Sequence, residues 1–469
     1  MSVGKRWLVP AALLLTTAGA AARPLDYVVV DPPRTRAGGG GANTIYLNRC
    51  AAGCTATAGA DSAARDTSSI LGRDATPASV ALEPFVWDQA TWDAVVTCTR
   101  ARYAPWDITV VTDEPTSGRY VEVMVAGVPA ALGFAANTLG VAPLTSDCSP
   151  LPSALAFAFA NAHPQGETQL EELCTTVIHE AGHLFGLDHE FDCRDPMTYL
   201  PACGTKVFVN RSLPCGELMG ERPCKCGDVQ NSFTHLTAAI GAGTAPAAPA
   251  VTVAVPAPDA TVASRFSVFA LVDGPRPIVE MALWINGRVW ARLPGKTGAA
   301  PYELRTPAEL PDGDLDLDVR TRDDLGNVSS VTLTVHKGAA CVDASTCLDG
   351  DACVGGACRA PAGTAALGAA CNTDEACASK LCVQAAGAGV CSTPCYPAGA
   401  ACGDGLSCRA ADDEGLACLV TIDEGGCCST NPRPGPALAL AALAAALLAR
   451  RRRSRGHGTP SMQQPTEQN

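Results

Sequence analysis

Histidine is scarce in this chain, seven residues in 469. Basic residues are outnumbered, with 34 lysines and arginines against 47 acids, a net charge of −13 and a pI near 5.0. Apart from one arginine run near the C-terminus there is no basic stripe, which argues against a nucleic-acid partner. No G-x-S-x-G elbow, P-loop or dinucleotide fingerprint is present. Neither terminal apolar run reaches the ~18 residues that span a bilayer comfortably. Cysteine is absent between Cys226 and Cys341.

Elsewhere cysteine is dense. Ten lie from Cys50 to Cys226, twelve from Cys341 to Cys418, and a last pair at Cys427 and Cys428. Such density persists as disulfides only in an oxidising compartment. The N-terminus agrees: MSVGKRWLVPAALLLTTAGAAA has a basic start, a short apolar run and small residues at its end. It reads as a secretory signal peptide over residues 1–22, cleaved after Ala22, with Ala20 the alternative.

Residues 23–243 form the first candidate domain. ANTIYLN, WDITVVTD, YVEVMVAG and SALAFAFA read as strands. Residues 85–104 read as an amphipathic helix with Trp92, Val95, Val96 and Tyr103 near one face. A second helix begins near Thr168, where Thr168 and Glu171 spell a capping box. Its apolar positions, Leu170, Leu173, Cys174, Val177, Ile178, Ala181, Leu184 and Phe185, follow helical spacing. GAGTAPAAPA, residues 241–250, reads as a linker. The cysteine-free part, residues 249–338, alternates β-rich runs with turn signals such as Asn286-Gly287 and reads as an all-β sandwich. Residues 341–420 are too poor in large apolar side chains to build an ordinary core. They must be stapled, by six disulfides of unreadable connectivity.

The scarce histidines cluster in HEAGHLFGLDH, residues 179–189. His179 and His183 are four apart on a helix and project from one face. Two such nitrogens can hold one Zn2+. Gly186 tolerates the left-handed backbone of a sharp turn, which brings His189 back as a third ligand. Three protein ligands leave a position open, as catalytic sites do. Glu180 can reach water at the metal without ligating it.

The pattern H-E-x-x-H-x-x-G-x-x-H resembles that of the metzincin zinc peptidases. The resemblance implies an α/β (α+β) zincin catalytic domain. It implies His179, His183 and His189 as zinc ligands, Glu180 as general base, and a methionine turn beneath the metal. DPMTYL places Met197 eight residues after His189, a spacing similar to matrixins; Met219 is the other candidate. Tyr199, two residues after Met197, looks like the tyrosine of astacins and serralysins, which can ligate zinc or stabilise an oxyanion; Glu190 also looks astacin-like. These mixed motifs mark the superfamily and leave the subfamily open. The likeness to matrixins raises the idea of a latent cysteine switch at Cys50 or Cys54. The residues around them do not match that switch, and ten cysteines pair evenly, so a plain disulfide is expected. Structural Ca2+ is left open, with no readable signature.

The β-sandwich resembles bacterial immunoglobulin-like modules. At the C-terminus, GGCC, the apolar run 436–449 and the arginine cluster resemble the MYXO-CTERM sorting tail of myxobacterial surface proteins, over residues 425–455. That resemblance implies a membrane segment, a sorting peptidase as partner and display or release at the cell surface. The expectation is a secreted, surface-sorted zinc metalloendopeptidase acting on a protein or peptide. The alternatives are an adhesion or scaffold protein with an inactive zinc-holding head, and a zinc-dependent amidase acting on cell-wall peptides.

Overall fold

The computed structural model describes residues 25–32, 42–73, 76–166, 168–200, 203–296, 301–412 and 415–421. The expected signal peptide and the whole 425–455 tail, with its membrane segment 436–449, lie outside these residues. Among the described residues no helix is long and apolar enough to cross a membrane.

The first part contains strands β1 (Leu25–Val30), β2 (Thr44–Asn48), β3 (Cys54–Ala58), β4 (Thr67–Ser68) and β5 (Ser79–Leu82). Helix α1 (Gln89–Tyr103) follows, then β6 (Thr109–Val111), β7 (Val121–Val125), β8 (Gly140–Thr145) and β9 (Leu155–Ala158). After helix α2 (Gln169–Leu184) come the hairpin β10 (Cys215–Glu217) and β11 (Gly220–Arg222), and helix α3 (Ser232–Ile240). A six-stranded sheet has the order β1-β8-β9-β7-β2-β6, and β8 against β9 is its antiparallel pair.

Alternation along the strands assigns the two faces. Val121, Val123 and Val125 of β7, with Ala156 and Ala158 of β9, join the core beneath α1 and α2. Met124, Leu155 and Phe157 face the other way, toward β3 and β5. The alanines on the helix side let α2 sit close to the sheet.

Asp88 caps α1, accepting from the Thr91 amide at 2.8 Å. Trp92, Val95, Val96 and Tyr103 are all buried. The start of α2 differs from the sequence expectation. Thr168 has helical backbone angles and makes no side-chain cap; its hydroxyl donates to Glu172 at 2.8 Å, while Glu171 pairs with Arg102. A capping box needs extended backbone at the cap residue, which Thr168 lacks. Leu170 is exposed, one turn too early to reach the core.

The middle part has two sheets around one apolar core. One contains β12 (Ala250–Val255), β13 (Ser267–Asp273) and β16 (Tyr302–Arg305). The other has the order β15 (Arg288–Pro294), β14 (Ile278–Ile285), β17 (Gly313–Asp323) and β18 (Val328–Lys337). Asn286-Gly287 forms the β14–β15 turn with positive φ at both residues.

Three small hairpins complete the described chain: β19 (Ala352–Val354) with β20 (Ala357–Arg359), β21 (Cys382–Ala385) with β22 (Ala388–Cys391), and β23 (Leu406–Ala410) with β24 (Leu416–Val420). Each carries two bridges, pairing the first cysteine of its quartet with the third and the second with the fourth. Together with five bridges in the first part, the described residues hold eleven disulfides, which fits an oxidising, extracellular setting.

These parts are packed, not strung on a tether. The start of the expected linker lies on the first part: the Gly243 amide donates to the Pro105 carbonyl at 2.8 Å and Thr244 to Ala104 at 2.9 Å. Leu325, Tyr396 and Leu416 enter the core that holds Phe208 and Phe233. Arg276, almost fully buried, donates to both oxygens of Asp324 and to the Phe208 carbonyl, and Asp324 accepts from the Asn210 amide. Arg276→Ala would leave the Asp324 carboxylate buried without its cation. It is expected to destabilise the protein by about 3–5 kcal/mol, read as a lower urea midpoint.

Candidate metal centre

The C-terminal end of α2 builds most of the site. His179 and His183 lie one turn apart, and the helix stops in two hydrogen bonds: Gly186 N–H to the His183 carbonyl and Leu187 N–H to the Gly182 carbonyl. Gly186 has φ +95, and a Cβ there would lie 2.1 Å from the Cys148 carbonyl oxygen. Both the backbone angle and the space require glycine, and the reversal carries His189 back to the helix.

The three imidazoles are buried and their ligand nitrogens fall within 4.8 Å of one another. Each Nδ1 faces an oxygen that accepts: the Pro196 carbonyl from His179 at 2.8 Å, the Leu187 carbonyl from His183 at 2.7 Å, and Glu217 from His189 at 3.2 Å. Carbonyls and carboxylates accept only, so each Nδ1 carries the proton and each Nε2 is bare. His179 Nε2 and His183 Nε2 then face each other at 2.9 Å with lone pairs on both sides. His189 Nε2 is buried with no hydrogen-bond partner. A cation among the three resolves this, and the donor set suits a divalent metal. Burial, then the neighbouring imidazoles, pushes His179 well below the usual histidine range, and His183 falls to about 3 for the same reasons. These two rings stay neutral, as ligands must be.

Glu180, next to His179 in the chain, is fully buried, and neither carboxylate oxygen has a hydrogen-bond partner. Burial and the Asp26 charge raise its proton affinity well above that of an ordinary glutamate. A Cβ on Gly140 would sit 2.3 Å from Glu180 Oε1. Gly140→Ala must therefore push the carboxylate aside inside a closed core. The expected loss is about 1–3 kcal/mol of stability, measured by denaturant unfolding.

Met197 is fully buried beneath the helix, where a Cβ on Gly182 would approach its sulfur to 2.5 Å. Asp195 shapes that turn, accepting from the Met197 and Val209 amides at 2.8 Å each. Met219 is 98 % exposed at the tip of the β10–β11 hairpin, remote from this role. The Tyr199 ring lies 4.5 Å from that of His189 and 6.4 Å from that of His179, and burial holds its phenol protonated. Glu190 is buried against Ser232 and Asp195. Cys50 and Cys54 are bonded to each other, so neither thiolate faces the histidines. The remaining described histidines sit apart: His163 against Thr176, His235 on the Phe185 carbonyl, and His336 at Asp314 near the end of β18.

Several neighbours of the site have no local sequence signal. Glu217 holds His189 and pairs with Arg222, and the His189 contact heads the causes that bring its carboxyl down to about 2. Buried Asp188 pairs with Arg222 at 2.7 Å and accepts from the His189 amide. The ring of Tyr27, on β1, lies 5.0 Å from that of His183 and 4.8 Å from that of His189. The Cys215–Cys224 bridge pins the hairpin that delivers Glu217 and Arg222.

No protein-family model and no curated protein matches the chain. Among solved structures, archaemetzincin from Methanopyrus kandleri is 14% identical and aligns over 34% of this chain and 83% of its own, with a TM-score of 0.20. OgpA from Akkermansia muciniphila is 11% identical over 63% of this chain and 93% of its own, with a TM-score of 0.21. Fibronectin(III)-like modules of Clostridium thermocellum CbhA are 13% identical over 19% of this chain and 94% of theirs, with a TM-score of 0.17. These likenesses are too faint to decide fold or chemistry.

Proposed function

We propose that this chain is a secreted zinc-dependent endopeptidase of the metzincin type, with residues 249–338 as an immunoglobulin-like module and the cysteine-rich hairpins as accessory parts. The observation that carries the reading is the facing pair of bare Nε2 atoms, joined by the third at His189, together with the unpartnered buried carboxylate of Glu180. His179, His183 and His189 would hold the ion. When bound, zinc supplies Lewis acidity, making water a stronger acid and a carbonyl carbon more electrophilic.

The chain's own groups do the rest. Glu180 accepts the proton of the attacking water and delivers it to the leaving amine. Its raised proton affinity suits that shuttle, because the carboxyl must both take and release a proton near neutral pH. The Tyr199 phenol, kept neutral by burial, would donate to the oxyanion that develops on the carbonyl. Glu217 fixes the His189 tautomer through Nδ1.

The test is zinc content of the purified full chain, with cleavage of a denatured protein mixture before and after limited proteolysis. A chelator and Glu180→Gln are the controls. One zinc per chain with chelator-sensitive cutting supports the reading. One zinc with no cutting in any preparation favours an adhesion or scaffold role, and no zinc in folded protein overturns both.

A further inference from the structure

The module formed by β12–β18 reaches the first part through two turns at one end of its sandwich. Arg276 lies between β13 and β14, and Asp324 between β17 and β18. Both grip residues 208–210. Arg276 donates to the Phe208 carbonyl at 2.9 Å, and Asp324 accepts from the Asn210 amide at 2.9 Å. The Asn210 side chain adds a bond to the Asp324 carbonyl at 3.0 Å. Val209, between them, faces the other way. Its amide donates to Asp195 at 2.8 Å, and its carbonyl accepts from the Phe233 amide at 3.2 Å. The segment is thus held from both sides, and Asp195, Asn210, Arg276 and Asp324 are all buried.

Two short routes run from this segment to the imidazoles. Along the first, Asp195 shapes the turn that presents the Pro196 carbonyl to His179 Nδ1. Along the second, the Asn210 side chain accepts from Asn231, the cap residue of α3, at 3.0 Å. The residues on either side of that cap hold the two neighbours of His189. Gln230 accepts from the Asp188 amide at 2.8 Å and donates to its carbonyl at 3.0 Å, while Ser232 donates to Glu190. We propose that Asp324, fixed by Arg276, is a positioning residue of the metal centre, so that the second module supplies part of the geometry of the histidine site. The reason is the satisfaction of buried polar groups. Without Asp324 the Asn210 amide must turn toward water or stay unpaired at a cost. Either response pulls on Val209, which is bonded directly to Asp195. This role rests on the metal-binding half of the proposed function and not on what the bound ion does.

The test titrates Co2+ into the full chain and follows its absorption bands, which report ligand geometry as well as affinity. Asp324→Ala and Asn210→Ala are compared with Leu315→Ala, a core truncation at the far end of β17 from Asp324. Asn210→Ala cuts the side-chain links to Asn231 and to the Asp324 carbonyl and strands no charge, so it decides alone if Asp324→Ala does not fold. We expect both link variants to bind Co2+ about tenfold more weakly, the low end of what losing an outer-shell partner costs a metal site, with displaced bands. Leu315→Ala should lower the Tm and leave bands and affinity as they were. Unchanged bands and affinity in the folded link variants overturn the inference. Equal changes in Leu315→Ala overturn it too, because they would show general loosening. If the unmodified chain takes up no Co2+, the metal reading fails and this role with it. Weaker, displaced Co2+ binding in the link variants of a chain that cuts no peptide upholds the positioning role and counts against the peptidase reading alone.

Discussion

Glu180→Gln is expected to lower peptide hydrolysis by about 10²–10⁴-fold, the usual worth of a positioned general base, while one metal per chain is retained. Glutamine keeps the shape of the side chain but cannot accept the water proton. The ligand nitrogens belong to other residues, so metal content should not change, and that separates a chemical defect from a lost site. A pH signature accompanies the rate. Burial raises the Glu180 pKa above its ordinary 4.5. In the metal-free protein its protonated form thus favours the folded state below about pH 4.5, and this contribution fades as pH rises through the folded-state value. The glutamine variant carries no such proton, so its Tm should fall less over that interval. Calorimetry of both metal-free proteins across pH would show it. An unchanged hydrolysis rate would remove Glu180 from the chemistry.

His183→Ala is expected to abolish stoichiometric metal uptake and with it the stabilisation the ion provides. For an ion present at a thousand times its Kd that stabilisation is about 4 kcal/mol, seen as a Tm several degrees lower in metal-containing buffer. The same loss should follow chelation of the unmodified protein, and metal should restore it there but not in the variant. The sign with pH follows from burial. His183 titrates at about 3 in the folded chain against an ordinary 6.5. Stability from the neutral ring is therefore complete above about pH 6.5 and is lost as pH falls toward the folded value. Protons also compete with the ion for Nε2, so metal binding weakens in the same direction. His183→Ala should flatten the acid limb of the Tm profile. A variant that still bound one ion as tightly would show that the three imidazoles are not its site.

The two modules beyond the first part bear on how such experiments are made. Because Arg276, Leu325 and Tyr396 are buried against Phe208, Phe233 and Pro105, cutting the chain near Gly243 would expose apolar surface and strand Asp324. The full chain is the proper material.

What could be read from the sequence was local. The eleven residues from His179 to His189 specify their own geometry: two imidazoles one turn apart, then a glycine at φ +95 that reverses the chain. The strands 44–48, 109–111, 121–125 and 155–158 declare themselves by β-branched or alternating residues between turns, because one side of each meets the helices and, in 121–125 and 155–158, the other meets a second layer. The cysteine count anticipated six bridges after Cys341, since a segment with so little apolar mass has no other means of closure. The T-x-x-E signal at Thr168 misled, because a capping box is decided by backbone angles at one residue and not by composition.

Tertiary structure decided the rest. Nothing near Glu217, 28 positions after His189, marks it as the residue that sets the third imidazole's tautomer; the Cys215–Cys224 hairpin brings it there. Which cysteines pair depends on distances between chain segments, and spacing leaves many solutions. Residues 25–30 belong to the first domain by position alone; the fold makes them a strand that completes its sheet and sets Tyr27 over His183 and His189, because β8 offers an edge that only the assembled fold creates. The sequence determined which groups could do chemistry; packing between distant segments determined which of them meet, which are kept neutral, and what stands in front of them.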